Sequence, residues 1–311
     1  MMTTQMTLGK ALINRLGYGT MNLTGPGVWG MPRDEATAIK LLCRAADLGV
    51  QFYDSANAYG PRVTNQLLGK AFHGRTDLLI GNKVGAERGS DRSWIVDSRP
   101  ETVRRQVEEA LLDLQTETVN LIYLRLGGDA QGQAPSTDIP LEEPLSVLVE
   151  LRKQGMIQHL GLSGAGPEEL ARALVLTPIT AVQNRFNLVD RSGIEVLADC
   201  ERHGIAFVPY WPLAYGKVLD HPALTAPARR LDATPAQISL AWLLRRSPVM
   251  IPIPGTTSIE HLEENVASVN LANQLTTEEL DTLTGLVSER DAHLGVPSQV
   301  TRDTLISVRR D

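Results

Sequence analysis

Apolar residues along this chain fall into two alternating rhythms. Short runs rich in β-branched and aromatic residues, RLGYGT (15–20), VQFYDS (50–55), LLIGNKV (78–84), VNLIYLR (119–125), IQHLGLS (157–163), ITAVQN (179–184), IAFVPYW (205–211) and VMIPIPG (249–255), read as eight strands. Between them, longer stretches carry apolar positions at helical spacing: RDEATAIKLLCRAADLG, TNQLLGKAF, RPETVRRQVEEALLDL, LEEPLSVLVELRKQG, GPEELARALVL, GIEVLADCERHG and TPAQISLAWLLRR, with TTEELDTLTGLVSER after the last strand. Several have Ser, Thr or Asp near the start and Gly just past the end, as helix termini prefer.

Parallel neighbours need a crossover of a dozen or more residues, so eight strand–helix units predict an α/β fold: a (β/α)8 TIM barrel, a single domain over residues 1–311. An open doubly wound sheet would place G-x-G-x-x-G after its first strand, and GYGTMNLTGPGVWG does not match. No linker divides the chain. Four long Gly- and Pro-rich segments, 19–33, 85–100, 127–140 and 212–230, are expected to build a lid or pocket wall on one side of the barrel, solvated excursions being the simpler alternative.

Composition narrows the function. With 42% hydrophobic and 21% charged residues the chain can bury a large core. A net charge of -6 without a basic stripe speaks against a nucleic-acid partner. No run of about 18 apolar residues occurs, and MMTTQMTLGK lacks the basic-then-apolar order of a leader, so a cytoplasmic protein without a membrane partner is expected. Cys43 and Cys200 lie in apparent helices and are expected to be buried thiols, with no disulfide and no metal-ligand spacing.

Barrel chemistry comes from the carboxyl ends of the strands. The second run ends at Asp54 and continues to Tyr59, the third ends at Lys83, and the fourth at Arg125. A phenol near pKa 10 transfers protons poorly at neutral pH, and an ammonium beside it would bring that value down. Lys83 could do this for Tyr59 while Asp54 compensates the buried ammonium; equally, Asp54 and Lys83 could be a plain ion pair and Tyr59 a packed loop aromatic. The short loop IPGTTSIEHLEEN after the eighth strand sits where barrels often bind phosphate.

The ordered motifs GVQFYDSANAYGP, NKVG, GLSG, VQNRFN, VPYWPLAYG and IPGTTSIEHLEEN resemble those of the aldo-keto reductases over nearly the whole chain. LGYGTMNLTGPGVWGMPRD, YGPRVTNQLL and the Arg ending the fourth strand are most similar to the bacterial pyridoxal reductases within that superfamily. The resemblance implies an NAD(P)H-dependent oxidoreductase acting on a small-molecule carbonyl substrate, with pyridoxal to pyridoxine as the preferred reaction. It implies Tyr59 as general acid, Lys83 as its pKa-lowering partner and Asp54 as that lysine's carboxylate. Most relatives have a catalytic His where this chain has Arg125. A guanidinium only donates and stays charged, so Arg125 is expected to stabilise negative charge on the carbonyl oxygen or, preferably, to meet an anionic substrate group such as the pyridoxal 3-oxygen.

The same resemblance assigns the cofactor site to Gly19, Thr20, Ser163, Gly164, Gln183, Tyr210, Trp211, Pro212, Leu213, Gly255, Thr256, His261, Glu264 and Asn265. Ser163 and Gln183 match carboxamide-binding residues, and Tyr210 the aromatic that stacks on nicotinamide, though Tyr210 and Trp211 alone would read as core aromatics. The family's usual Asn after that Ser is Gly164 here. Lys and Arg, frequent in relatives where this chain has Gly255 and His261, normally grip the NADP 2′-phosphate; NADP(H) is nonetheless favoured, with NAD(H) possible. Trp29 is a candidate substrate wall or a pin for its own loop. His73, His159, His203, His221 and His293 have no ligand spacing. An NAD-linked dehydrogenase of pyridoxal or a sugar, and a cofactor-sensing subunit resembling potassium-channel β subunits, are the competing functions.

Overall fold

The computed structural model describes residues 3–127 and 139–287. Eleven short strands occur among them: β1 (Gln5–Leu8), β2 (Ala11–Asn14), β3 (Tyr18–Gly19), β4 (Phe52–Ala56), β5 (Leu79–Val84), β6 (Ala86–Arg88), β7 (Trp94–Val96), β8 (Val119–Arg125), β9 (Ile157–Ser163), β10 (Ala181–Gln183) and β11 (Ala206–Phe207). Seven form one parallel sheet in the order β3-β4-β5-β8-β9-β10-β11. Around it run α1 (Glu35–Asp47), α2 (Val63–Phe72), α3 (Pro100–Leu114), α4 (Glu142–Lys153), α5 (Pro167–Leu176), α6 (Ile194–His203), α7 (Thr225–Leu231), α8 (Pro235–Arg246), α9 (Ile259–Leu271) and α10 (Thr277–Thr284). This is the expected (β/α)8 barrel.

The eighth run, 249–255, closes the barrel without a ladder of its own. The Phe207 N–H donates to the Val249 carbonyl at 2.8 Å and the Ile251 N–H to Phe207 at 2.9 Å, while Gly17 and Gly19 donate to the carbonyls of Pro252 and Pro254 at 2.9 and 3.3 Å. Two prolines have no N–H to return, so the seam with Gly17 and Gly19 carries hydrogen bonds in one direction only.

Side-chain alternation sorts each strand between two cores. Phe52, Leu121, Tyr123, Ala181, Ala206, Val208, Ile251 and Ile253 fill the barrel, and the neighbouring positions pack under the helices. Tyr123 has room because its neighbours on β5 and β9 are glycines: a Cβ on Gly81 or Gly161 would come within 3.0 or 2.6 Å of its ring.

The N-terminal residues fold into a β1–β2 hairpin whose Leu8 and Ile13 join the interior cluster. Next to it Arg15, fully buried, donates to the carbonyls of Leu244 at 2.9 Å, Met250 at 3.3 Å, Thr3 at 3.2 Å and also Ser247. Two expectations change. Cys200 is buried but Cys43 is exposed, because it lies on the outer face of α1. The segment 85–100 holds the antiparallel β6–β7 hairpin, and 212–230 contains two 3-10 turns and most of α7, so neither is an irregular loop. Segment 127–140 and His293 fall largely or wholly outside the described residues.

Candidate active site

Inward-facing positions at the carboxyl end of the sheet carry the polar side chains. Asp54 on β4 and Lys83 on β5 are 3% and 5% exposed, with Lys83 Nζ 2.7 and 2.8 Å from the two carboxylate oxygens and 2.8 Å from the Ser55 carbonyl. Gln183 Nε2 donates to the same carboxylate at 2.8 Å. Tyr59 lies in the turn between β4 and α2, with the Lys83 ammonium 4.9 Å from its ring centroid. The cross-strand register sets Arg125 opposite Ser163 and Ser163 opposite Gln183, so those three stand level on neighbouring strands.

Behind this layer a buried amide network fixes the turn. Asn57 Oδ1 accepts from Asn65 at 3.1 Å and Asn82 at 2.7 Å, its Nδ2 donates to the Gln106 carbonyl at 2.8 Å, and its backbone N–H donates to the Lys83 carbonyl at 3.1 Å. Gln106 in turn accepts from Gly85 at 2.7 Å and donates to the Ala86 carbonyl at 2.9 Å. One asparagine thus ties the turn bearing Tyr59 to the strand bearing Lys83 and, through α3, to the following hairpin. Most of its polar atoms are paired, which stiffens the turn, though the buried Asn82 Oδ1 has no hydrogen-bond partner among the described residues.

Electrostatics differ from expectation. Burial pushes the Tyr59 phenol well above its ordinary value, the Asp54 charge pushes it the same way, and Arg125 opposes both. Lys83 is pulled down by burial, with Asp54 holding it up. The Tyr59 phenol is thus held in its neutral form more firmly than an exposed tyrosine's.

These groups line a cavity of about 440 Å³. Among the residues expected at the site, Gly19, Asp54, Tyr59, Lys83, Arg125, Ser163, Gln183, Tyr210, Trp211, Pro212, Leu213 and Gly255 lie on its wall. Gly19 and Gly255 are pressed together: a Cβ on either would come 2.6–2.7 Å from carbonyl oxygen across the seam. Only glycine allows the chain to pass there.

Other residues stand off that wall. Thr20 is buried behind it, its hydroxyl donating to the Asp54 carbonyl at 2.8 Å. Gly164, at φ +75°, borders a smaller cavity of about 270 Å³, and a Cβ on it would meet the Gly127 carbonyl at 2.3 Å. Thr256 and Ser258 cap the start of α9: Thr256 accepts from the Ser258 N–H at 3.0 Å, and Ser258 from the His261 N–H at 3.2 Å. On α9 His261 is exposed, Glu264 half-buried and Asn265 buried. Trp29 stands one layer out, its ring beneath Arg88 and Arg92.

The sequence reading missed Trp94 and Tyr215, which line the cavity, and Asn22, whose amide donates to the Gly255 carbonyl at 3.2 Å. The run SWIV, aromatic and β-branched inside a supposed loop, was the available signal for Trp94. His203 and His221 make local backbone contacts, and His159 sits against Gly9 at the barrel base. Among the described residues no group of three His, Cys, Asp or Glu side chains could hold a metal, and no helix is long and apolar enough to cross a membrane.

Comparison with known proteins agrees with this geometry. Residues 15–288 match the sequence profile described as the aldo/keto reductase family. The chain is 40% identical over 291 residues to pyridoxine 4-dehydrogenase of Escherichia coli strain K12, covering 93% of this chain and 100% of that protein. Among solved structures, a thermostable aldo-keto reductase in complex with the inhibitor epalrestat aligns with a TM-score of 0.78 at 30% identity, covering 92% of this chain and 100% of that one. An aldo-keto reductase from Klebsiella pneumoniae in complex with NADPH aligns with a TM-score of 0.74 at 25% identity, covering 96% and 97% of the two chains.

Proposed function

The chain belongs to the aldo/keto reductase family and is an NAD(P)H-dependent oxidoreductase, and on that premise we propose that it reduces pyridoxal to pyridoxine with Tyr59 as proton donor and a preference for NADP(H). A nicotinamide cofactor supplies hydride for the carbonyl carbon. The wall fits its nicotinamide half: the Ser163 hydroxyl and Gln183 amide offer polar partners for a carboxamide, Tyr210 offers a ring, and the Gly19–Gly255 contact leaves the seam free of side chains. Thr256, the α9 N-terminus and the exposed His261 would hold the phosphates of the other half.

Tyr59 protonates the carbonyl oxygen and regains its proton from solvent. Lys83, anchored through two carboxylate oxygens and the Ser55 carbonyl, sets a fixed positive charge beside the phenol and stabilises the phenolate left after transfer. Arg125 pairs with the anionic 3-oxygen of pyridoxal. The observation that carries this reading is that Arg125 shares one cavity wall with Tyr59, Lys83 and Asp54, where it opposes the upward push on the phenol. The similarity to a pyridoxine 4-dehydrogenase supports the substrate. Two free cysteines fit a reducing, cytoplasmic setting.

Oxidation of NADPH and NADH followed against pyridoxal, a neutral aromatic aldehyde and a keto sugar tests the substrate and the cofactor, and the same assay on Tyr59→Phe, expected to lose most turnover, tests the proton donor. Pyridoxal with NADPH is expected to give the highest kcat/KM. A higher value for the sugar, or for NADH, overturns the substrate or cofactor assignment, and tight NADPH binding without turnover points to a sensor.

A further inference from the structure

The geometry points to Arg88 as a positioning residue: by locking the first long loop to the β6–β7 hairpin it fixes Val28 and Trp94 on the cavity wall, and so makes the pocket select carbonyl substrates by shape. This rests on the reductase reading of the same site, and it concerns residues to which that reading gives no role. Arg88 is half-buried at the end of β6. Its guanidinium carbon lies 4.3 Å from the Trp94 ring centroid and 5.4 Å from that of Trp29, so one cation meets an indole from each segment. Four hydrogen bonds run from it to backbone carbonyls: Val28 at 2.7 Å and Gly27 at 3.2 Å on the loop, and Arg92 at 2.8 and 3.3 Å at the hairpin tip.

The three residues that receive those bonds all have left-handed backbone, with φ +71° at Gly27, +57° at Val28 and +67° at Arg92. A β-branched valine is strained there, so the loop takes a shape that its own sequence disfavours and that Arg88 holds from outside. Two further attachments complete a ring. Trp29 pairs with Gly60, the residue after Tyr59, and the Gly30 N–H donates to the Gly60 carbonyl at 2.6 Å. On the hairpin side the Trp94 ring meets the Tyr59 ring edge-on, 6.4 Å between centroids at 82°. Contacts therefore lead from Tyr59 through Gly60 and the loop to Arg88, and back through Trp94 to Tyr59, with Gly27, Val28 and Trp94 on the cavity wall. The planar guanidinium fork reaches both segments at once, which an ammonium on a flexible stem does not.

The test uses a bulky planar aldehyde, 4-methylbenzaldehyde, and a small one, propanal. Arg88→Met is expected to raise KM for 4-methylbenzaldehyde about tenfold and KM for propanal far less, because a wall displaced by about 1 Å misplaces the substrate that leans on it. Arg88→Lys keeps a charge near the indoles without the fork and should behave like Arg88→Met. Equal losses on both aldehydes would make Arg88 a plain scaffold contact, and full selectivity in Arg88→Lys would make it a plain charge; either overturns the proposal. Hydrogen exchange of the full protein without substrate gives a readout that needs no turnover. Over residues 25–30, where the Gly25, Trp29 and Gly30 amides are hydrogen-bonded, and over 86–96, Arg88→Met should speed exchange in both segments together, by about tenfold or more. Unchanged exchange over 25–30 would mean that the loop holds its own shape, and would overturn the lock. Wild type that reduces neither aldehyde counts against the reductase reading, with exchange still deciding the lock, whereas an active wild type whose selectivity survives in Arg88→Met counts against Arg88.

Discussion

Asp54 and Lys83 are joined through both carboxylate oxygens, 2.7 and 2.8 Å from the ammonium, where almost no solvent reaches. A buried pair is costly to break from one side, because the remaining charge has no compensation. Asp54→Asn is therefore expected to lower unfolding stability by about 3–5 kcal/mol, read as an earlier denaturant midpoint, and to abolish most turnover. The double variant Asp54→Asn/Lys83→Met should recover much of the stability and none of the activity.

The raised Tyr59 phenol sets a pH signature. Below its shifted value the acid form dominates, so reduction should show no alkaline limb from Tyr59 between about pH 6 and 9, whereas oxidation of pyridoxine needs the phenolate and should rise about tenfold per pH unit over that range. Steady-state rates in both directions give the comparison. An alkaline fall in reduction that disappears in Tyr59→Phe would show that the phenol is not held up.

Arg125→Leu removes a cation from the wall opposite Ser163. If it pairs with the pyridoxal oxygen, KM for pyridoxal should rise about tenfold or more, the worth of a charged hydrogen bond, with a neutral aldehyde of similar size much less affected. Equal losses would leave stabilisation of the carbonyl oxygen as its role.

Gly164→Asn would introduce the residue that the resemblance to aldo-keto reductases implies there, yet the structure argues against it. The positive φ tolerates Asn, but the added Cβ would come 2.3 Å from the Gly127 carbonyl. Weaker NADPH binding by fluorescence titration and a lower melting temperature are expected. Tighter binding would mean that the loop at Gly127 yields readily.

The barrel was legible because strand and helix periods alternate eight times, and the ends of the second, third and fourth runs already marked Asp54, Lys83 and Arg125. What the pattern could not show was one edge without donors: VMIPIPG reads as apolar and β-branched, but Pro252 and Pro254 leave only acceptors toward Gly17 and Gly19. The β6–β7 hairpin was missed because its arms are three residues each, below the length at which alternation is visible. For the same reason Trp94, which lines the cavity, carries no visible alternation signal as an aromatic wall. The direction of the Tyr59 shift was also out of reach, since adjacency to Lys83 suggested a lowering whereas depth of burial decides the sign.

Arg15 supplies a stability test away from the site. Burial pushes its guanidinium down to about 10, still charged at pH 7, and it satisfies several buried carbonyls at once. Arg15→Met should cost about 3 kcal/mol or more, since each orphaned acceptor costs about 1–3 kcal/mol. Chemical denaturation with unchanged kcat in the surviving native protein would place the loss in the scaffold.

The same contacts order events during synthesis. Arg15 and its partner Met250 are 235 residues apart, a gap that takes about 10–50 s to translate at typical rates. Until the chain from Leu244 onward emerges from the ribosome, Arg15 has only the Thr3 carbonyl of those that receive it, and the seam strand that meets Gly17 and Gly19 does not exist. The nascent chain therefore cannot close its barrel before then, and the edge at Gly17 and Gly19 stays unpaired in the meantime.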